Sequence, residues 1–419
     1  MKVLIITYYW PPAGGSGVQR WLKFVKYLPY YGITPIVFVP EKANYPVVDN
    51  ELVSETKGVE VISQPFLDLQ KLARTHKKKG GDANVSSGGV LSWIRGNFFI
   101  PDPKILWVKP SVKYLTEYLK KNKIDVVIST GPPHSIHLIA KKLKKKFAIK
   151  WVADFRDPWT NLYYLRDFKL NKFSRSKNKN LENEVLKNAD MVLTVSNFLK
   201  RELSLKTNKP VKVVTNGYDD EFVEEADGLL DEKFSISYIG LLPKQSNSNL
   251  LWEVLAELKK EKEQFKNDLE IVLVGNICDE AIFSIKKNQL EENLKLVDYV
   301  PHSESVKLQR RAQVLLLLIP KTGGAKGIIT GKVFEYLKAK RPILAVGPED
   351  GDLAEILANT NSGVIIDFEN KEKMKKEVKK LYKKFKKNNL NTVSKNIKQY
   401  HRKELTAQLA SILNQVSHS

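Results

Sequence analysis

A single cysteine, Cys278, among 419 residues excludes an intramolecular disulfide and any multi-cysteine zinc site. It fits a reducing, cytosolic compartment. Histidine is scarce as well: six residues, with no His-Glu-x-x-His pair and no cluster, so no metal centre is expected. A Gly-x-Ser-x-Gly elbow is also missing. Arginine supplies only 11 of the 69 basic residues, so the excess over 47 acidic residues, a net +22, is carried by lysine. Lysine lacks the bidentate fork with which arginine reads phosphates and guanines. A nucleic-acid binder would cluster arginines among aromatics. Here lysines spread over helix faces, and no nucleic-acid partner is expected. Long apolar runs are missing too. The longest purely aliphatic one, Val314 to Ile319, falls far short of the ~20 residues of a membrane helix. The start, Val3 to Ile6, resembles a signal peptide only briefly, because Tyr8-Tyr9-Trp10-Pro11-Pro12 interrupts it, and it reads as a first strand.

What is present is a globular composition, 42% hydrophobic and 28% charged, at a length suited to two domains. Short β-branched runs (Val3 to Ile6, Pro35 to Val39, Val59 to Ile62, Asp125 to Ser129, Lys150 to Ala153, Met191 to Val195) alternate with amphipathic helical runs such as Val18 to Leu28, Ser111 to Lys121, Ile136 to Lys146 and Asn180 to Asn188. Continuous apolar runs separated by helices indicate buried parallel strands and a doubly wound α/β fold. The pattern lapses over 197 to 230 and restarts at Phe234 to Ile239. The expected organisation is an α/β domain over 1–205, a second over 206–395, and a terminal helix over 396–419 that packs back on the first through Leu405, Leu409 and Ile412. A cleft between the two lobes is expected to take the ligand.

Two segments stand outside this alternation. Residues 64 to 110 form an insertion with a polar half, Thr75 to Gly89, and an aromatic half, Leu91 to Pro101, closing at Trp107. Insertions of that length are disordered or functional. Lys371 to Lys387 holds ten lysines against Glu372 and Glu377, with Met374, Val378, Leu381, Tyr382 and Phe385 on one helical face. It reads as a packed surface helix; the alternative is attraction to an anionic membrane surface.

Chemistry concentrates at strand ends. After the first strand comes Gly14-Gly15-Ser16-Gly17, where glycines let a ligand approach the backbone and the following helix offers unpaired N–H groups. Arg20 stands where a dinucleotide fingerprint needs its third glycine. The second domain has Lys321 to Lys332 before Val333-Phe334-Glu335. Lys326 replaces the first glycine of an ATPase loop and Val333 its hydroxyl, which leaves a cationic turn suited to a diphosphate. Glu335, read in the first turn of that helix, turns toward the same ligand or answers the helix dipole. His134 follows one strand and Asp154-Phe155-Arg156-Asp157 the next, the latter either part of the site or a salt-bridged corner; His137 is a weaker candidate. Asp350-Gly351-Asp352 reads as a turn rather than a metal site.

These residues resemble the family 4 glycosyltransferases of the GT-B fold. The likeness is carried by Gly14-Gly15-Ser16-Gly17, Thr215-Asn216-Gly217-Tyr218-Asp219, Tyr238-Ile239-Gly240, and Phe334-Glu335-Tyr336-Leu337 before Arg341-Pro342-Ile343. The stretch Asp154 to Trp159 is similar to a subgroup of bacterial cell-surface polysaccharide enzymes. The resemblance implies a retaining, metal-independent hexosyltransferase with no cofactor. Its second domain would bind a nucleotide sugar of UDP or GDP type and its first a glycan or lipid-linked acceptor, with the enzyme cytoplasmic or peripheral at the inner membrane face. It implies catalytic roles for His134, Asp154, Arg156 and Asp157, with His134 facing the transferred sugar. Donor contacts would come from Gly15, Ser16, Gly17, Asn216, Gly240, Lys244, Lys326, Thr330, Gly331, Lys332 and Glu335, the last on the ribose. Gly327 and Leu241 replace a glutamate and an arginine of the family pattern, and Lys244 supplies a cation instead. A GT-B-type sugar-nucleotide epimerase is the alternative activity.

Overall fold

A computed structural model describes residues 1–65, 90–161, 170–220 and 230–418. The polar stretch Thr75 to Gly89 lies outside them. The chain divides into two compact units, one made of Met1–Asn216 with the segment from Arg402, the other of Gly217–His401.

In the first unit, β1 (Lys2–Ile6), β2 (Thr34–Glu41), β3 (Glu60–Pro65), β4 (Val126–Gly131), β5 (Lys150–Phe155), β6 (Met191–Thr194) and β7 (Val211–Val213) make a parallel sheet ordered β3-β2-β1-β4-β5-β6-β7. β7 falls where the sequence pattern lapses; three residues, one of them lysine, are too short a run to read. Side chains alternate across the sheet. Leu4, Ile6, Val127 and Trp151 meet Leu115 and Ile136 of helices Ile105–Lys121 and Ser135–Phe147 on one face. Val3, Ile5, Ile128 and Val152 meet Trp21 and Phe24 of helix Ser16–Tyr27 on the other. Burial on both faces is why these strands read as unbroken apolar runs.

Helix Arg402–His418 belongs to this unit and buries Leu405, Leu409, Ala410, Leu413 and Val416 in the second cluster. Ile412, expected on the packed face, is only partly buried, and Leu413 takes that place. Each buried leucine is worth about 1.5–3 kcal/mol over an exposed one. The helix expected from Ser111 begins six residues earlier, at Ile105. That makes Trp107 core, stacked on Phe38 at 5.2 Å, so it does not extend the exposed aromatic stretch.

In the second unit, β8 (Phe234–Ile239), β9 (Leu269–Val274), β10 (Leu294–Val297), β11 (Val314–Leu318), β12 (Ile343–Val346) and β13 (Gly363–Ile366) form a parallel sheet ordered β10-β9-β8-β11-β12-β13. The lysine-rich helix Lys371–Phe385 packs Met374, Val378 and Tyr382 into the core. Its basic side meets acidic groups: Lys371 and Lys375 bridge Glu257, Lys375 and Lys379 bridge Glu261, and Lys386 bridges Asp268. The packed-surface reading therefore accounts for this helix. Among the described residues no helix is long and apolar enough to cross a membrane.

Candidate active site

Open parallel sheets bind ligands outside the carboxyl ends of their strands, where the strand order reverses. In the first unit that point lies between β1 and β4, and the turns after them carry Gly14–Gly17 and Gly131–His134. In the second it lies between β8 and β11, followed by Gly240 and by Lys321–Lys332.

Strand alternation sends the polar residues at the ends of β4 and β5 to opposite faces of the first sheet. Toward helix Ser16–Tyr27, Thr130 and Asp154 sit side by side in register. Asp154 accepts from Arg20 Nε (3.2 Å) and Nη2 (3.0 Å), Trp21 Nε1 (2.7 Å) and Thr130 Oγ1 (2.9 Å). Four bonds are the full acceptor capacity of a carboxylate. Burial pushes this carboxyl up, but the charge and hydrogen bonds of Arg20, with Trp21 and Arg156, outweigh burial and hold it below the usual range. Arg20 also donates to the carbonyls of Val214 (2.7 Å) and Thr215 (3.1 Å) and reaches Asn216 Oδ1 at 3.5 Å. Asp154 is thus a brace between β5, the first helix and the segment ending at Asn216.

Arg156 is a second brace. Its guanidinium donates to the carbonyls of Gly17 (2.5 Å), Gly131 (3.2 Å) and Pro132, which joins the two glycine turns. Asp157 beside it is exposed. Gly15 forms the N-cap of the first helix at φ 86°, a conformation that favours glycine; the side chain of Ser16 lies outside the described residues.

Toward helix Ser135–Phe147, His134 occupies the N-cap position and stacks on Trp159, with centroids 4.8 Å apart. His137 stacks on Phe155 at 4.6 Å, and its Nδ1 meets Ser129 Oγ at 2.8 Å. Burial, then the neighbouring His137 charge, depresses His134 well below its ordinary pKa, the Pro158 carbonyl working the other way. Burial, then Arg156, lowers His137 to about 3. Both rings are neutral near pH 7.

In the second unit Gly240 has φ 114°, and a Cβ there would come within 2.7 Å of Lys332 Cε. Lys332 lies 4.4 Å over the Tyr238 ring and donates to Tyr238 Oη (2.7 Å) and the Leu241 carbonyl (3.0 Å). Burial lowers its pKa from 10.5 to about 8, opposed by Glu335. It sits in the first turn of helix Gly331–Ala339, after the cap residue Thr330, where unpaired N–H groups face outward. Glu335 falls just past the first turn in which it was expected, because the helix starts already at Gly331, and accepts from Gln309 Nε2 at 3.1 Å. Lys244 and Lys326 are exposed and pair with Glu280 (2.6 Å) and Asp350 (2.5 Å). The structure therefore joins Gly240, Thr330, Gly331, Lys332 and Glu335 around one strand-end turn, with Lys244 and Lys326 engaged beside it.

Sequence reasoning passed over Arg20 as a site residue, and also Trp21, Thr130, Ser129, Trp151, Tyr238 and Gln309. Two signals were available: an arginine on the apolar face of the first helix, and a Ser-Thr pair closing an aliphatic strand.

Residues 59–222 match the model for Glycosyltransferase Family 4, and residues 219–402 match that for Glycosyl transferases group 1. No curated protein matches the chain in sequence. Among solved structures, the chain is similar to sucrose-phosphate synthase from Thermosynechococcus elongatus (12% identity, TM-score 0.63, covering 99% of this chain and 98% of the other). It is similar to HepE from Anabaena in complex with UDP-glucose (12%, 0.57, 100% and 98%). It also resembles the lipopolysaccharide outer core galactosyltransferase WaaB (12%, 0.61, 99% and 99%). At such identities these likenesses carry the fold.

Proposed function

Since the chain belongs to the GT-B glycosyltransferases of the family 4 type, we propose that it transfers a hexose, with retention of configuration and without a metal ion, from a nucleoside-diphosphate sugar to a glycan or lipid-linked acceptor in cell-surface polysaccharide synthesis. The observation that carries this reading is Lys332 laid across Gly240 at a helix N-terminus. A desolvated ammonium beside outward N–H groups is built to receive a diphosphate. The N–H groups of Thr330 and Gly331 and the Lys332 ammonium stabilise the charge that develops on the leaving diphosphate. One such preorganised donor is worth ~3–4 kcal/mol in comparable sites. Glu335 accepts the ribose hydroxyls, and Lys244 and Lys326 exchange their carboxylate partners for phosphate oxygens. His134, neutral and stacked, contacts the transferred sugar, while Asp154 and Arg156 hold the turns that place it. The UDP-glucose in HepE and the name of WaaB support the donor class and the surface-polysaccharide context.

The acceptor unit exposes Trp93, Ile94, Phe98 and Phe173, pinned together where Asn97 bonds Asn171 and Ser174. That patch supports peripheral contact with the inner face of an anionic membrane. The deciding experiment offers UDP- and GDP-sugars with and without acceptor glycolipid. Release of nucleoside diphosphate with acceptor glycosylation is expected. Conversion of the sugar nucleotide with no acceptor present would make the protein an epimerase.

A further inference from the structure

Behind His134, on the same face of the sheet, lies a chain of polar atoms that the transfer reaction does not use directly. Trp151 Nε1 donates to Ser129 Oγ at 2.8 Å, and Ser129 Oγ meets His137 Nδ1 at 2.8 Å. All three side chains are fully buried. The direction of the chain follows from the inventory of donors. An indole nitrogen can only donate. Ser129 Oγ therefore accepts from Trp151; accepting from His137 as well would leave its own buried hydrogen without an acceptor, so it donates to His137 Nδ1, which leaves the ring proton of neutral His137 on Nε2. That Nε2 has no hydrogen-bond partner and lies 2.6 Å from the point a Gly131 Cβ would occupy; His134 Nδ1 lies 2.9 Å from the same point. Two N–H groups turned toward one desolvated spot would repel, and an N–H opposite a lone pair would not.

We propose that Trp151, Ser129 and His137 form a positioning relay that fixes His134 as the neutral Nε2–H tautomer, so that His134 donates a hydrogen bond rather than accepting a proton. The two stacked aromatics, Trp159 and Phe155, hold the rings in the orientation this requires. The burial that keeps both rings uncharged serves the same end. Gly131 is then a functional glycine, since any side chain there would part the two rings. The inference rests on the reading that His134 contacts the transferred sugar, and it gives that contact a polarity: the His134 N–H leaves the neighbouring Pro158 carbonyl to meet an oxygen lone pair of the sugar.

The test is two-bond 1H–15N correlation on the full chain labelled with 15N-histidine, without substrate, His134 and His137 being assigned from H134Q and H137Q. Both should appear as Nε2–H tautomers from pH 6 to pH 8. S129A should convert His137 to a mixture and shift His134 with it, and S129T should restore the pattern. W151F, which removes the indole donor that orients the Ser129 hydroxyl toward His137, should mix the His137 tautomers if S129A fails to fold. A wild-type His134 protonated on Nδ1, or one that ignores a change at His137, would overturn the relay. Because no substrate is present, that failure is distinct from the failure of the sugar-contact reading, which unimpaired transfer by H134A would reveal.

Discussion

Lys332 offers the sharpest quantitative test of the donor site. Burial lowers its pKa from 10.5 to about 8, a gap equivalent to ~3 kcal/mol of unfavourable desolvation in the charged form. A bound diphosphate supplies the missing counter-charge and returns the pKa toward its ordinary value. Between pH 8 and 10.5 the free protein holds Lys332 mostly neutral and the complex holds it charged, so binding takes up a proton and affinity falls as pH rises through that window. Below pH 8 both states are charged and affinity is level. The secondary phosphate ionisation, near pH 6, is complete throughout. Titration calorimetry with UDP and with GDP at pH 7, 8 and 9 should show Kd rising about tenfold from pH 7 to 9 for the nucleotide that binds. Lys332→Met should weaken binding at pH 7 by roughly 30-fold or more, about 2–3 kcal/mol, and abolish the slope. A wild-type Kd independent of pH, or an equal slope in the variant, would refute the assignment of the diphosphate to Lys332.

Gly240→Ala forces a Cβ to 2.7 Å from Lys332 Cε at φ 114° and should lower nucleotide affinity at least tenfold by calorimetry while thermal unfolding shows a folded protein. Asp154→Asn leaves the Arg20 charge buried without its partner and should cost ~3–5 kcal/mol in urea unfolding; a loss below 1 kcal/mol would remove the brace from the account. His137, with its pKa at about 3, makes the unfolded chain bind more protons below pH 6.5, so stability falls on acidification. By pH 5 the loss relative to pH 7.5 should be ~2 kcal/mol from this residue, and His137→Gln should flatten that part of the profile. Replacing Trp93, Phe98 and Phe173 by serine should reduce flotation with anionic liposomes, and equal flotation would take the patch out of the membrane reading.

The strands were legible because each is buried on two faces. Val314 to Leu318 has no polar residue to disguise it, and all five of its side chains are buried. The glycine turns were legible because they follow such strands. What surrounds them was not. Asp154 and Arg156 read as candidates for chemistry, and only the packing shows Asp154 saturated by a helix that precedes it by more than a hundred residues. Lys332 was visible as a cation near a helix start, but its contact with Gly240 depends on β8 and β11 being neighbours, which sequence order hides. Lys244 and Lys326 are cations in the same kind of sequence position; in the structure they are exposed and paired, whereas Lys332 is largely desolvated and burial depresses its pKa.

By itself the sequence determined two parallel α/β sheets, the strand-end turns, a lysine-borne net charge and the family, because those follow from local periodicity, composition and short motifs. The tertiary structure decided which charges matter. Desolvation and hydrogen-bond saturation depend on neighbours contributed by distant strands and helices, and they separate Lys332 from the other lysines, make braces of Asp154 and Arg156, and join Trp151 and Ser129 to His137.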